Sequence, residues 1–157
     1  MQMNTEQFAE RVEALRPRLY RTALCYLGNE HDASDVLDEA VYRALCSLKK
    51  LRQPEYFDTW LTRILMNECS RELKRRSRFR PLEERREMAV EDLDALPLRE
   101  AIQALPEELK QVVILRFFSG YTQSETAETL GIPQGTVATR QKRALALLKL
   151  ELKEGAE

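Results

Sequence analysis

An all-α fold in two small helical domains joined by a charged linker is what this sequence predicts, on three observations. Leu, Glu, Arg and Ala dominate the 157 residues, with only five glycines and six prolines, a balance that favours helix over strand. Apolar residues recur at helical spacing in several segments, each closed by a Gly or Pro signal. Residues 1–80 carry 15 Lys/Arg against 12 Asp/Glu, residues 81–100 carry 3 against 7, and residues 101–157 carry 7 of each. An acidic middle that follows a basic cluster reads as a connection between modules. The expected domains are 5–80 and 95–154, with the linker at 81–94.

In the first domain Phe8, Val12, Leu15, Leu19 and Leu27 mark a helical stripe that Pro17 is expected to interrupt. Gly28-Asn29 ends it, and Asp32 is a candidate cap for the next helix. That helix carries Val36, Leu37, Ala40, Val41, Ala44, Leu45, Leu48 and Leu51 as its apolar side, and Gln53-Pro54 breaks it. A third helix has Phe57, Leu61, Ile64, Leu65 and Leu73 on one side and ends in a basic run from Arg71 to Arg80. Three such helices can share one core.

Pro81 to about Asp94 is charged and has no clear period. Beyond it Leu98, Ile102 and Leu105 mark a helix, and Pro106 suits the first turn of another holding Leu109, Val112, Val113 and Leu115, which Gly120 stops. Thr122-Gln-Ser-Glu125 has the form of a capping box and opens a short helix to Leu130. Gly131-Ile132-Pro133 is a tight break. A last helix begins near Gln134, with Val137, Leu145, Leu148 and Leu152 as its apolar positions.

Net charge is −1, so bulk electrostatics alone do not mark a nucleic-acid binder. Cys25, Cys46 and Cys69 fit neither a disulfide framework nor a metal spacing, and are expected to be small core residues in a reducing compartment. No secretory signal or membrane-spanning run is legible, which predicts a cytoplasmic protein with no membrane insertion. The sole histidine, His31, sits beside a helix start, and neither a phosphate loop nor a nucleophile–base set is visible. No catalytic residue, metal ligand or cofactor is therefore assigned.

Function concentrates in Tyr121–Leu148: two helices separated by a short turn containing Gly, the pattern of a helix-turn-helix. The second helix of that motif enters the major groove by its N-terminal part. Here Val137 would face inward, while Thr136, Thr139, Arg140, Lys142 and Arg143 offer the hydroxyls and cations that phosphates and guanine edges attract.

Leu105-Pro106, Val113-Ile114-Leu115-Arg116, Tyr121-Thr122-Gln123-Ser124-Glu125-Thr126-Ala127, Gly131-Ile132-Pro133 and Gly135-Thr136-Val137-Ala138-Thr139-Arg140-Gln141-Lys142-Arg143-Ala144 are together similar to region 4 of the extracytoplasmic-function sigma factors of the sigma-70 family. Two departures are Ala138 at a usually basic position and Thr139 for a serine. Ala33-Ser34-Asp35-Val36-Leu37-Asp38-Glu39-Ala40 and Trp60-Leu61-Thr62-Arg63-Ile64-Leu65-Met66-Asn67 resemble region 2, with Asp38 in place of Gln and Arg71 where Asp is common.

The resemblance implies partners and sites. The β′ coiled coil of core RNA polymerase would meet Asp35, Asp38 and Glu39, and the β subunit is a further partner. Promoter DNA at the −10 element would meet Arg63 and Asn67. Trp60 is grouped with them, although core packing accounts for it better than base stacking does. Lys74, Arg75, Arg76 and Arg78 would hold duplex phosphates, and the −35 element would meet the five residues of the last helix. An anti-sigma factor is implied as a further partner. The second reading is a stand-alone helix-turn-helix regulator, which leaves the Trp60–Asn67 segment and the basic third helix without a role.

Overall fold

The computed structural model describes residues 2–79 and 96–155, and the chain divides into two units, Met1–Met88 and Ala89–Glu157. The expected linker at 81–94 lies outside the described residues. All regular structure among the described residues is helical, and none of these helices is long and apolar enough to cross a membrane.

Three long helices build the first unit: α1 (Thr5–Leu27), α2 (Glu30–Cys46) and α3 (Phe57–Phe79), each packed against the other two. A capping box starts α1: the Asn4 side chain accepts from the Gln7 amide at 2.8 Å, and the Asn4 amide donates to Gln7 Oε1 at 2.9 Å. Pro17 does not interrupt α1, contrary to the sequence expectation. A proline inside a helix costs about 3 kcal/mol or more. Phe8, Val12, Leu15 and Leu19 before or around it, and Ala23 and Leu27 after it, are all buried on one side. Each such burial contributes roughly 1.5–3 kcal/mol for the larger side chains, so packing outweighs the lost backbone bond.

Gly28 ends α1 at φ 82°, where a side chain would be strained, and its amide donates to Leu24 O at 2.8 Å. The cap of α2 is Asn29 rather than Asp32: the Asn29 side chain accepts from the Asp32 amide at 2.8 Å. Asp32 lies three residues further on, where its carboxylate turns into the unit and is 8% exposed. Short 3-10 turns at Leu48–Lys50 and Pro54–Tyr56 then carry the chain to α3. Phe57, Leu61, Leu65, Met66 and Cys69 line its buried side, and Phe57 meets Phe8 edge-on at 5.8 Å.

The second unit runs α4 (Leu96–Ala104), α5 (Glu107–Val113), α6 (Gln123–Leu130) and α7 (Gln134–Gly155). Pro106 is the cap of α5 rather than part of its first turn, its carbonyl accepting from Lys110 N at 2.9 Å. The helix continues as a widened turn over Ile114–Phe118, where the Ser119 amide reaches back five residues to Ile114 O at 2.9 Å. At α6 the capping box forms as its spacing predicts: the Glu125 amide donates to Thr122 Oγ1, and the Thr122 amide to Glu125 Oε1, both at 3.0 Å. Gly131, at φ 69°, ends α6 and turns the chain toward α7. Val112, Ala127 and Val137 form the small core between α5, α6 and α7, with Leu130 and Ile132 against it.

Candidate nucleic-acid interface

Val137 is fully buried, and this sets the rotation of α7. At about 100° per residue, Gln141, Ala144 and Leu148 lie within roughly 40° of it. Ala144 and Leu148 are buried, and Gln141 is partly so. Leu145 stands about 80° away and is 43% exposed, so it is not part of the apolar seam that its type suggested. The opposite side presents Gly135, Ala138, Thr139, Lys142 and Arg143, all exposed.

The predicted −35 residues therefore separate. Thr139, Lys142 and Arg143 share the outward side, with the Thr139 hydroxyl donating to Gly135 O at 3.0 Å. Thr136 and Arg140 are partly covered on the flanks. Arg140 points toward α5, its Nη2 lying 3.9 Å from Glu108.

On α3, Arg63 and Asn67 are exposed, while Trp60 is half-buried and packs on Phe57 at 6.0 Å between rings. Trp60 thus belongs largely to the core side. Arg71, Lys74 and Arg78 are exposed as well, and 63, 67, 71, 74 and 78 fall within about 80° around the helix. Arg71, a departure from the region 2 pattern and the first residue of the basic run, extends this stripe. It keeps one contact, to Glu68 Oε1 at 3.4 Å. The recurrence of 4, 4, 3 and 4 in these positions was the signal available in the sequence.

Arg76 is not available to a phosphate. It is 5% exposed, donates from Nη1 to Leu27 O at 2.8 Å and forms an ion pair with Asp32. The expectation that Arg76 holds a duplex phosphate fails here, because the α1–α2 corner supplies it with both a carbonyl and a carboxylate. Its phase explains the difference: Arg76 stands eleven residues after buried Leu65, on the same side of the helix. Arg75 remains at the surface, bidentate to Glu72 at 2.7 and 2.9 Å, and this bond raises its already high pKa.

The acidic side of α2 is exposed. Asp35 pairs with His31 at 3.3 Å, Asp38 lies 3.9 Å from Arg16, and Glu39 accepts from Arg43 at 3.0 Å. Arg43 also reaches Glu68 of α3 at 2.9 Å, tying this side of α2 to the unit. Beside Asp38 an open groove of about 410 Å³ is lined by Arg16, Pro17, Tyr20, Ser34 and Leu37. Leu37 is buried, Val41 is half-buried, and the exposed apolar surface comes instead from Tyr42 (63%) and Leu45 (43%). Tyr42 was missed and Leu45 was read as part of the buried apolar side, although they follow Asp35 and Asp38 at seven-residue spacing and so share their face.

Of the cysteines only Cys69 is buried, and burial pushes its thiol pKa well up, so it stays protonated and inert. Cys46 is exposed, against the expectation of a core residue, and hydrogen bonding to it raises the Tyr42 phenol. Among the described residues no three metal-ligating side chains converge.

Comparison with known proteins agrees with this geometry. The family profile "Sigma-70 region 2" matches residues 11–79 and "Sigma-70, region 4" matches residues 101–150. RNA polymerase sigma factor SigV of Bacillus subtilis is 33% identical over 141 residues, covering 85% of this chain and 83% of that protein. ECF RNA polymerase sigma factor SigM of Mycobacterium tuberculosis is 31% identical over 136 residues, covering 83% and 69%. A solved structure of CnrH in complex with the cytosolic domain of CnrY is 26% identical with a TM-score of 0.76, covering 96% of this chain and 90% of that one. A helix-turn-helix with an exposed polar face, a cationic helix in a separate unit, and both regions in their family order leave one assignment: the chain belongs to the extracytoplasmic-function sigma factors of the sigma-70 family, which direct RNA polymerase to particular promoters.

Proposed function

We propose that the first unit docks core polymerase through α2 and reads the −10 element along α3, and that the second unit reads the −35 element with α7. The observation that carries this reading is the exposed stripe Arg63–Asn67–Arg71–Lys74–Arg78. A stripe of cations with one amide among them suits a strand that leaves the duplex, its backbone held electrostatically and a base hydrogen-bonded. Asp35, Asp38 and Glu39 give charge complementarity to a basic partner surface such as the β′ coiled coil, with Tyr42 and Leu45 as apolar contacts. The β subunit is a further contact of the assembled complex. Catalysis remains with the polymerase and the chain contributes none. Its place of action is the cytoplasm, where the polymerase is. CnrH is solved with the cytosolic domain of CnrY, which supports an anti-sigma partner for this chain too.

Charge reversal at Asp35 and Glu39 together tests the docking face. Unfavourable charge juxtaposition costs several kcal/mol at a protein interface, so affinity for purified core polymerase should fall at least tenfold. Thermal unfolding should hardly change, since these carboxylates make only exposed pairs. Equal polymerase affinity in the double variant removes this face from the assignment.

Gly135 offers a separate test of the −35 face. A methyl group built there meets nothing within 4 Å, so the chain's own packing does not require glycine. Alanine in a helix is favoured over glycine by up to about 1 kcal/mol. Gly135→Ala should thus leave thermal stability equal or raised, while the added methyl blocks close approach of the DNA and weakens −35-dependent promoter binding. Unchanged promoter binding would mean that DNA does not come close at this position.

A further inference from the structure

Arg116 joins the turn before the helix-turn-helix to its last helix. Its Nη1 donates to Tyr121 O, and its Nε donates at 2.9 Å to Oε1 of Gln141 on α7. The same Gln141 oxygen lies 3.4 Å from Nε2 of Gln123, in the first turn of α6. Three polar side chains and one carbonyl thus connect the widened turn, α6 and α7 at a single point. Gln141 stands one turn after Val137 on the inward side of α7.

We propose that Gln141 is a positioning residue rather than a base-reading one, and that with Arg116 it locks the rotation of α7 about its own axis. The inference rests on the assignment of α7 to the −35 element. Glutamine within a recognition helix is a residue type able to read adenine. Here its acceptor oxygen is engaged by two donors of its own unit. The apolar seam of Val137, Ala144 and Leu148 sets the rotation of α7 coarsely, because apolar contacts are non-directional. A directional hydrogen bond to a planar guanidinium, itself anchored on Tyr121 O, sets it finely. A roll of one residue position, about 100°, would bring a different set of side chains outward. The pair therefore adds a directional constraint to the apolar seam and holds Thr139, Lys142 and Arg143 in their outward setting.

The test uses the full chain assembled with core polymerase, on a promoter and on the same promoter with its −35 bases scrambled. Gln141→Glu keeps the acceptor and adds charge complementarity to Arg116, so −35 discrimination should stay within about twofold of wild type. Gln141→Met and Arg116→Met remove the bond from either side. Each should cut discrimination at least fivefold and broaden preference over several −35 positions. The double variant should be no worse than the singles within about twofold, as members of one interaction are non-additive. Thermal unfolding of the same variants separates loss of fold from loss of positioning, and Gln141→Glu supplies a folded control.

A tenfold loss in Gln141→Glu, confined to one base position and absent from Arg116→Met, would overturn the proposal and make Gln141 a base contact. Fully additive losses in the double variant would overturn it as well. Wild-type protein that ignores the scrambled −35 sequence would refute the parent assignment of α7 first, an outcome distinct from either of these.

Discussion

Replacing Arg76 with alanine is expected to destabilise the first unit by about 3–5 kcal/mol, the usual cost of removing one partner of a buried ion pair. Asp32, 8% exposed, would lose its guanidinium partner and keep the neutral Asn29 side-chain amide at 3.0 Å. Leu27 O would lose its donor at the end of α1. Arg75→Ala is the matched control: its side chain is 51% exposed and its bond to Glu72 is superficial, so the change should be within about 1 kcal/mol. Urea denaturation followed by circular dichroism measures both. If Arg76 gripped phosphate instead, the alanine variant would keep its stability, and the salt dependence of promoter binding would fall by about one unit. Neighbours in one basic run thus have opposite expected behaviour.

The second large effect concerns opening of the −10 element. Arg63→Ala and Asn67→Ala remove exposed groups from α3 without touching its buried side. A contact to an unstacked base is worth about 1–3 kcal/mol, which amounts to roughly tenfold for each residue. Both variants should bind core polymerase and duplex −35 DNA normally, yet form open complexes on a normal promoter about tenfold more slowly. A promoter with a pre-melted −10 bubble should restore most of the transcription, since strand separation no longer has to be driven. Full transcription from the normal promoter in both variants would remove α3 from −10 reading.

Much of this was legible from the chain because it depends on residues close together in it. The capping box of Thr122 and Glu125 needs only three-residue spacing. The left-handed turns at Gly28 and Gly131 need only the absence of a side chain. The order of the helices and the helix-turn-helix follow from period and punctuation, and the motif residues carried the family. Phase alone could also have separated Arg76 from Arg75, since Arg76 continues the buried side through Leu65.

What tertiary structure alone decided are the questions of partnership. Asp32 lies 44 residues before Arg76, and Gln141 lies 25 after Arg116, so no local pattern pairs them. Pro17 reads locally as a break, and only the packing of α1 against two other helices outweighs it. Asn29 and Asp32 are both good caps by type, and the choice went to Asn29 because the Asp32 carboxylate is drawn inward to Arg76. Local backbone preference has a range of a few residues, whereas the fate of a charge depends on which distant groups folding brings within about 3 Å of it.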